Sequence, residues 1–234
     1  QSQMIRVASY NIHKCVGTDR RRDPQRTLNV LAEINADIVA LQEADLRFGE
    51  RVGILDLDAI HKQTGLVPVP IADAKRNHGW HGNVVLVREA AVHHTHQIEL
   101  PGVEPRGALV VDLEAKSLQL RVIATHFGLL RRSRAKQVET VLRSAQTAEG
   151  RTVLLMGDLN EWRIDKRSGI SGLEPIFGNF EFFAPSYPSR YPVLALDRIL
   201  CNPRQSLRNI QVHSTPLSRK ASDHLPITAE IAIA

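Results

Sequence analysis

The residues of this chain that could do chemistry are amides, carboxylates and imidazoles placed where short apolar runs end. Asn11 follows Val7-Ala8-Ser9-Tyr10, Glu43 follows residues 38–41, and His126 follows Val122-Ile123-Ala124-Thr125. Asp158 and Asn160 follow residues 153–156, Asp197 lies within residues 194–201, and Asp223-His224 precede Leu225. Any one carboxylate in such a place can be a turn former or a helix cap. As a set, Glu43, Asp158 and Asp223 are hard oxygen donors suited to Mg2+ or Mn2+, ions that keep waters and engage phosphate oxygens. Asn11 and Asn160 can orient a phosphate or a water without adding negative charge. His126 and His224 can donate to phosphoryl oxygens, and Asp197 beside His224 would fix its tautomer and favour the imidazolium. That inventory suits metal-assisted attack on a phosphorus ester.

The elements that must hold these groups are legible from pattern. Residues 5–10 read as a strand. Asp23-Pro24 opens a helix, with Asp as N-cap and Pro in the first turn, and Leu28, Leu31 and Ile34 follow at helical spacing. Residues 38–41 form a short buried strand, and Ile54, Leu57 and Ile60 mark a second helix closed by Gly65. Residues 83–87, 92–100, 107–113 and 118–125 read as strands joined by turns. A third helix is predicted over 133–148 with Gly150 as its stop, then a buried strand over 152–156. Residues 169–191 are irregular, and strands over 194–201, 209–214 and 225–233 close the chain. Two face-to-face sheets with helices outside fit this count, and ligands gather at strand ends because a rigid sheet holds the loops there.

Composition narrows the classes. With 234 residues, 43% hydrophobic and 24% charged, the chain is globular in composition, and a single domain over residues 4–234 is expected. No apolar run approaches the ~20 residues of a membrane span, so no integral membrane association is expected. Two cysteines make neither a disulfide framework nor a four-cysteine zinc site. Gln1-Ser2-Gln3 precede Met4 and read as an added tail, so no signal peptide is evident and a cytoplasmic location is the expectation. Lys and Arg total 30 against 25 Asp and Glu, a net charge of +5, which favours an anionic partner such as nucleic acid, a phospholipid surface or a phosphorylated small molecule. Basic clusters at Arg20-Arg21-Arg22, at Arg131-Arg132 with Arg134 and Lys136, and at Arg219-Lys220 are either solvated faces or anion contacts.

Six blocks in order carry a family resemblance: Ser9-Tyr10-Asn11-Ile12, Leu41-Gln42-Glu43, Thr125-His126, Gly157-Asp158-Leu159-Asn160, Leu196-Asp197-Arg198-Ile199 and Ser222-Asp223-His224. Together they resemble the endonuclease/exonuclease/phosphatase superfamily, which includes DNA-repair endonucleases of the exonuclease III type, DNase I, sphingomyelinases and inositol-polyphosphate phosphatases. Asn11-Ile12-His13-Lys14, His81-Gly82-Asn83, Arg106-Gly107, residues 158–163 and residues 191–197 are similar to a small uncharacterised bacterial subgroup. The resemblance implies a DNase I-like α/β fold, a four-layer α/β/β/α sandwich of two mixed, mainly antiparallel sheets with the site at one rim. It implies that Glu43 is the principal Mg2+ ligand with Asn11 close by, and that Asp223 helps hold the water or a second metal. Asp158 would position or deprotonate the attacking water, Asn160 and His126 would hold phosphoryl oxygens, and His224 paired with Asp197 would stabilise the transition state. An Asp commonly stands two residues after the first Asn in the DNA-repair branch. His13 stands there in this chain, which weakens a second metal and suits direct phosphate contact.

Other residues read two ways. The polar loop 77–83 could face substrate through His81 and Asn83, or be an ordinary glycine turn. Arg106 could reach the site or its support. Arg131, Arg132 and Arg134 could bind a second phosphate, with Arg134 the chosen substrate contact, or be solvated helix charge. His93-His94-Thr95-His96 reads as a partly exposed strand with no carboxylate nearby to complete a metal site. Cys15 reads as packing, Asp56 and Asp58 as surface charge, and Trp162 as a stacking platform or a core cap. The expected activity is an Mg2+-dependent phosphoesterase acting as a monomer, with Mn2+ as a substitute and nucleic acid as first substrate. A lipid or small-molecule phosphodiesterase is the alternative, although no apolar membrane loop is visible in the sequence. A non-catalytic binding or scaffold protein of the same fold is the third.

Overall fold

In β1 (Met4–Asn11), Ile5 and Val7 face one side and Ala8 and Tyr10 the other, and all four are buried. A strand buried on both faces needs a layer against each. The structure, a computed structural model describing residues 3–46, 53–72, 78–180 and 184–233, supplies both layers. β1 pairs in parallel with β2 (Ile38–Gln42) and antiparallel with β11 (Ile227–Ala232). β3 (Val67–Pro68), β4 (Val84–Val87) and β10 (Leu207–Val212) complete a sheet in the order β10-β11-β1-β2-β4-β3. The second sheet runs β5 (Ala90–Leu100), β6 (Arg106–Ala115), β7 (Leu118–His126), β8 (Thr152–Asp158) and β9 (Asp197–Asn202) in chain order. β7 and β8 are parallel and the other pairs of this sheet are antiparallel.

Each parallel pair is bridged by a crossover helix, as its geometry demands. α1 (Pro24–Ile34) joins β1 to β2, and α3 (Arg131–Gln146) joins β7 to β8. Val7, Ala40 and Val85 of the first sheet meet Val111, Val122 and Met156 of the second in the central core. α1, α2 (Leu57–Thr64) and α5 (Pro216–Ala221) cover the outside of the first sheet through Leu31, Ile60 and Ala221. α3 and α4 (Glu174–Phe177) cover the second through Val138, Val141 and Phe177. The layers are therefore α/β/β/α.

Local chemistry sets the ends of the helices. Asp23 caps α1, accepting from the Arg26 amide at 3.2 Å. Asp56, expected as plain surface charge, caps α2 by accepting from the Ala59 amide at 3.0 Å, and Gly65 closes that helix at φ 77°. α3 starts at Arg131 and stops at Gln146, so Gly150, at φ 80°, turns the chain toward β8 and does not end the helix. α5 was not visible as a helix in the pattern. It is set by a Thr215–Ser218 capping box with Pro216 in the first turn. No helix among the described residues is long and apolar enough to cross a membrane.

Candidate active site

The apolar columns between the sheets end in polar residues. By strand alternation Asn11 continues Ile5 and Val7, His126 continues Val122 and Ala124, and Asp158 continues Leu154 and Met156. Asp197 begins the column of Ile199 and Cys201. Register sets His126 opposite Asp158 and Asp158 opposite Asp197, so three candidate residues form one lateral row across β7, β8 and β9. From the facing sheet come Asn11 and Glu43, the latter just past β2 in the left-handed region at φ 52°. A cleft of about 310 Å³ opens here, and Glu43, Arg106, His126, Asp158, Asn160, Asp223 and His224 all line it.

Asp158 is the hub. Its Oδ2 accepts from Asn11 Nδ2 at 3.0 Å and lies 3.4 Å from His126 Nε2 and 3.6 Å from His224 Nε2. Its Oδ1 accepts from the Asn160 amide at 3.0 Å. Burial alone would raise this carboxyl, but the His224 charge and the His126 and Asn11 contacts outweigh it and hold the group far below the carboxylate range. His224 is the counterpart. Burial pushes it down, yet Asp197 and then Asp158 carry it up to about 10. Nδ1 of His224 meets Asp197 Oδ2 at 2.7 Å, and the same oxygen accepts from Ser186 Oγ at 2.5 Å. The Tyr187 ring packs against the imidazole with centroids 4.8 Å apart.

The second histidine is held in the opposite state. Arg106 Nη1 lies 3.0 Å from His126 Nδ1. A guanidinium can only donate, so Nδ1 must be the acceptor and the proton sits on Nε2, facing Asp158. Arg106 is fixed in turn by Glu104 at 2.7 Å. The Asn160 side chain, on a left-handed residue at φ 51°, donates to the Phe127 carbonyl at 2.7 Å.

A divalent cation fits the oxygen donors on the Glu43 side. Asn11 Nδ2 donates to both Glu43 Oε2 at 2.7 Å and Asp158 Oδ2 at 3.0 Å, so two carboxylates, one half-buried and one buried, converge on one amide. Burial opposes ionisation of Glu43, and the Asn11 amide that donates to its Oε2 favours the carboxylate. Asp158, Asp197 and His224 also bring one ligand atom each within 4.8 Å of one another. An imidazolium has no lone pair to offer, however, so that trio is a hydrogen-bonded array. Asn11 acts as a brace: its Oδ1 accepts from the His13 amide at 3.0 Å, which turns the oxygen expected to face a metal toward the backbone.

The structure distributes the other candidates unevenly. Asp223 lines the cleft, and its Oδ2 is 3.8 Å from His13 Nε2, while His13 Nδ1 meets the Val16 carbonyl at 3.1 Å. His81 also lines the cleft, with Nε2 3.1 Å from Glu99. Two expected substrate contacts lie elsewhere. Asn83 is fully buried and spends its amide on the Trp80 and Gly107 carbonyls at 3.1 and 3.0 Å, so it braces the loop. Arg134 is buried in α3, donating to the Gly128 and Leu129 carbonyls and pairing with buried Glu161 at 3.4 Å. Of the 77–83 loop, Asn77 lies outside the described residues. Cys15 is buried, and burial raises its thiol to about 11.

Lys14, Asp45 and Tyr187 also line the cleft and were not singled out by sequence. The signal for Lys14 and Asp45 was their closeness to Asn11 and Glu43. Tyr187 sits in the irregular stretch, where periodicity carries no information.

Two mixed sheets packed face to face between helices, with amide, carboxylate and imidazole groups at one rim, define a DNase I-like α/β sandwich. The chain belongs to the endonuclease/exonuclease/phosphatase family, whose model matches residues 8–224. It is 28% identical to the uncharacterized protein YbhP of Escherichia coli strain K12, over 99% of this chain and 97% of that protein. Among solved structures, a family protein of Bacteroides thetaiotaomicron superposes with a TM-score of 0.76 at 15% identity, covering 100% of this chain and 99% of that one. A mannosyl-6-phosphatase of the same organism gives 0.71 at 14% identity over 98% and 100%. Truncated TDP2 of Caenorhabditis elegans gives 0.67 at 16% identity over 98% of each chain. These likenesses concern the fold.

Proposed function

We propose that residues 4–234 act as one monomeric domain that hydrolyses a phosphoester by in-line attack of water. The observation that carries this reading is the buried Asp197–His224–Asp158 array, which keeps an imidazolium beside an ionised carboxylate at the floor of the cleft. A phosphoryl oxygen gains negative charge as water adds, and a donor fixed in advance lowers that barrier more than a mobile one. His224 Nε2–H is such a donor, and Asp197 keeps it charged. His126 offers a neutral N–H, because Arg106 occupies its other nitrogen. Asn160 adds an amide at the same wall. Asp158 orients the water. Its low basicity makes it a poor base for free water, but the water's proton becomes acidic as its oxygen bonds to phosphorus. The new P–O bond forms as the ester P–O bond breaks, and the proton passes to the leaving oxygen. A divalent cation at Glu43 and Asp158, Mg2+ or Mn2+, supplies further positive charge to the phosphoryl group when bound.

A hydrolysis panel tests the reading: bis-p-nitrophenyl phosphate, single- and double-stranded DNA, RNA, phospholipids and inositol phosphates, each with Mg2+, Mn2+ or EDTA. Cleavage lost in EDTA and in Asp158→Asn is expected. Equal activity of Asp158→Asn and wild type refutes the assignment, and ligand binding without turnover supports a scaffold instead. A second reading, nucleic acid as the substrate, has one specific observation in its support. The exposed Trp162 ring, with the Arg163 guanidinium 4.9 Å from its centroid, is a surface on which a base can stack.

A further inference from the structure

The five most exposed large apolar side chains among the described residues are Tyr191 at 81%, Val103 at 71%, Leu129 at 65%, Ile164 at 62% and Val193 at 61%. They come from four separate loops, and all four lie at the sheet edge that carries the cleft: between β5 and β6, after β7, after β8, and ahead of β9. Leu129 lines the cleft itself. Its amide donates to Glu104 at 2.8 Å, which docks the Val103 loop onto the Leu129 loop. Beside them Leu130, Arg131 and Arg132 line a groove of about 710 Å³ shared with Ser168 and Gly169, and Ile164 and Lys166 lie next along the chain. On the other flank Arg190 and Tyr191 share a shallow hollow with Arg219 and Lys220. Single exposed apolar residues are ordinary, but a set gathered around one opening marks a contact surface.

We infer that this rim docks on an anionic lipid layer and so presents the cleft to a phosphoester in a lipid headgroup, an inference that rests on the phosphoesterase reading of the site. Four of the five side chains are aliphatic. They have no ring face for a nucleobase to stack on and gain only by leaving water. Arg131, Arg132, Lys166 and Arg190 are exposed among them and suit a negatively charged surface. The rim carboxylates Glu104 and Asp165 are engaged by Arg106 and Arg167 at 2.7 and 2.8 Å. Tyr191 and Trp162 each present an apolar ring with a polar tip, the form favoured at headgroup depth. The five side chains are dispersed over four loops, with two of them, Tyr191 and Val193, in the run that precedes β9. What they share is placement, on loops at the one end of the two sheets that carries the cleft.

The test is co-sedimentation of the full chain with phosphatidylcholine vesicles, with and without phosphatidylglycerol. It is run for wild type, Ile164→Glu and Val193→Glu, neither of which lines the cleft. Binding that requires the anionic lipid is expected. Each substitution should weaken it about tenfold, the order of one partly buried aliphatic side chain, with turnover of soluble bis-p-nitrophenyl phosphate and circular dichroism unchanged. Turnover of the diester without vesicle binding overturns the inference and leaves the phosphoesterase reading standing. Vesicle binding lost in the variants, without turnover of any substrate, supports the surface and counts against that reading. Failure to bind vesicles, together with binding of a labelled single-stranded oligonucleotide that falls in Tyr191→Ala, overturns the lipid assignment in favour of nucleic acid.

Discussion

Replacing Asp197 by Asn should move the alkaline limb of the pH–rate profile by several pH units while leaving the shape of the site intact. Asn keeps an oxygen for His224 Nδ1, now at 2.7 Å, and for Ser186 Oγ, now at 2.5 Å, but removes the charge. In the native protein that charge, with Asp158, holds His224 at about 10 against its ordinary 6.5, although burial works the other way. With the first carboxylate neutralised, burial is opposed only by the charges of Asp158 and Asp223, and the imidazole falls toward its ordinary value. At that ordinary value roughly one tenth of the molecules carry the donor proton at about pH 7.5. The predicted loss in kcat at that pH is up to about tenfold, and it should shrink on acidification toward about pH 6. Stability follows the same group. A folded value above the unfolded one stabilises fully below 6.5, and that contribution is lost as pH rises through about 10. The denaturation midpoint of the native protein should therefore fall across this window more than that of Asp197→Asn. Stopped assays on bis-p-nitrophenyl phosphate, developed in alkali, read the profile. Superimposable alkaline limbs for the two proteins would refute the assignment of His224 as a charged donor.

Three further outcomes are expected. Arg106→Gln frees His126 Nδ1 to take the proton and should lower kcat about tenfold or more, in the range of one positioned proton-transfer partner, with KM little changed. Arg106→Lys, which still donates, should recover part of the loss, and equal rates in all three would exclude the tautomer role. Glu43→Gln should abolish calorimetrically detectable Mg2+ or Mn2+ binding together with metal-dependent turnover, whereas undiminished binding would move the cation elsewhere. Arg134→Ala leaves buried Glu161 with Arg198 as its remaining neighbouring cation and should cost up to about 3 kcal/mol in urea unfolding. The surviving folded protein should keep its turnover, and a selective loss of activity would return Arg134 to the substrate.

How much of this was legible beforehand divides along physical lines. The inner strands were legible as short apolar runs because residues such as Ile5, Val7, Ala8 and Tyr10 are buried on two faces, which a one-dimensional pattern records. Gly157 illustrates what such a pattern conceals. A Cβ there would stand 1.8 Å from the Thr125 carbonyl oxygen, a constraint imposed by a neighbouring strand. Arg134 and Asn83 looked like ligands because charge and amide were read without knowing which way they point. Both are turned into the protein by carbonyls that lie near only after folding. Asp45 and Tyr187 reach the cleft from loops, where residue spacing does not encode direction. Four of the six motif blocks end strands and one opens a strand, so most of their chemistry and their placement share one periodicity.

The row formed by His126, Asp158 and Asp197 lies on the hydrogen-bond ladder of three neighbouring strands. Amides in such a ladder exchange with solvent only when the ladder opens. The three residues are the last of β7 and β8 and the first of β9, and β9 is the outer strand of its sheet. The row can therefore open from its β9 side at less than the cost of complete unfolding, whereas β7 and β8 lie inside the sheet and hold to the global transition. In rising denaturant, exchange protection near Asp197 should be lost before that at Met156 and Gly157. The His224–Asp197 pairing is thus the part of the reactive geometry that a destabilised protein gives up first.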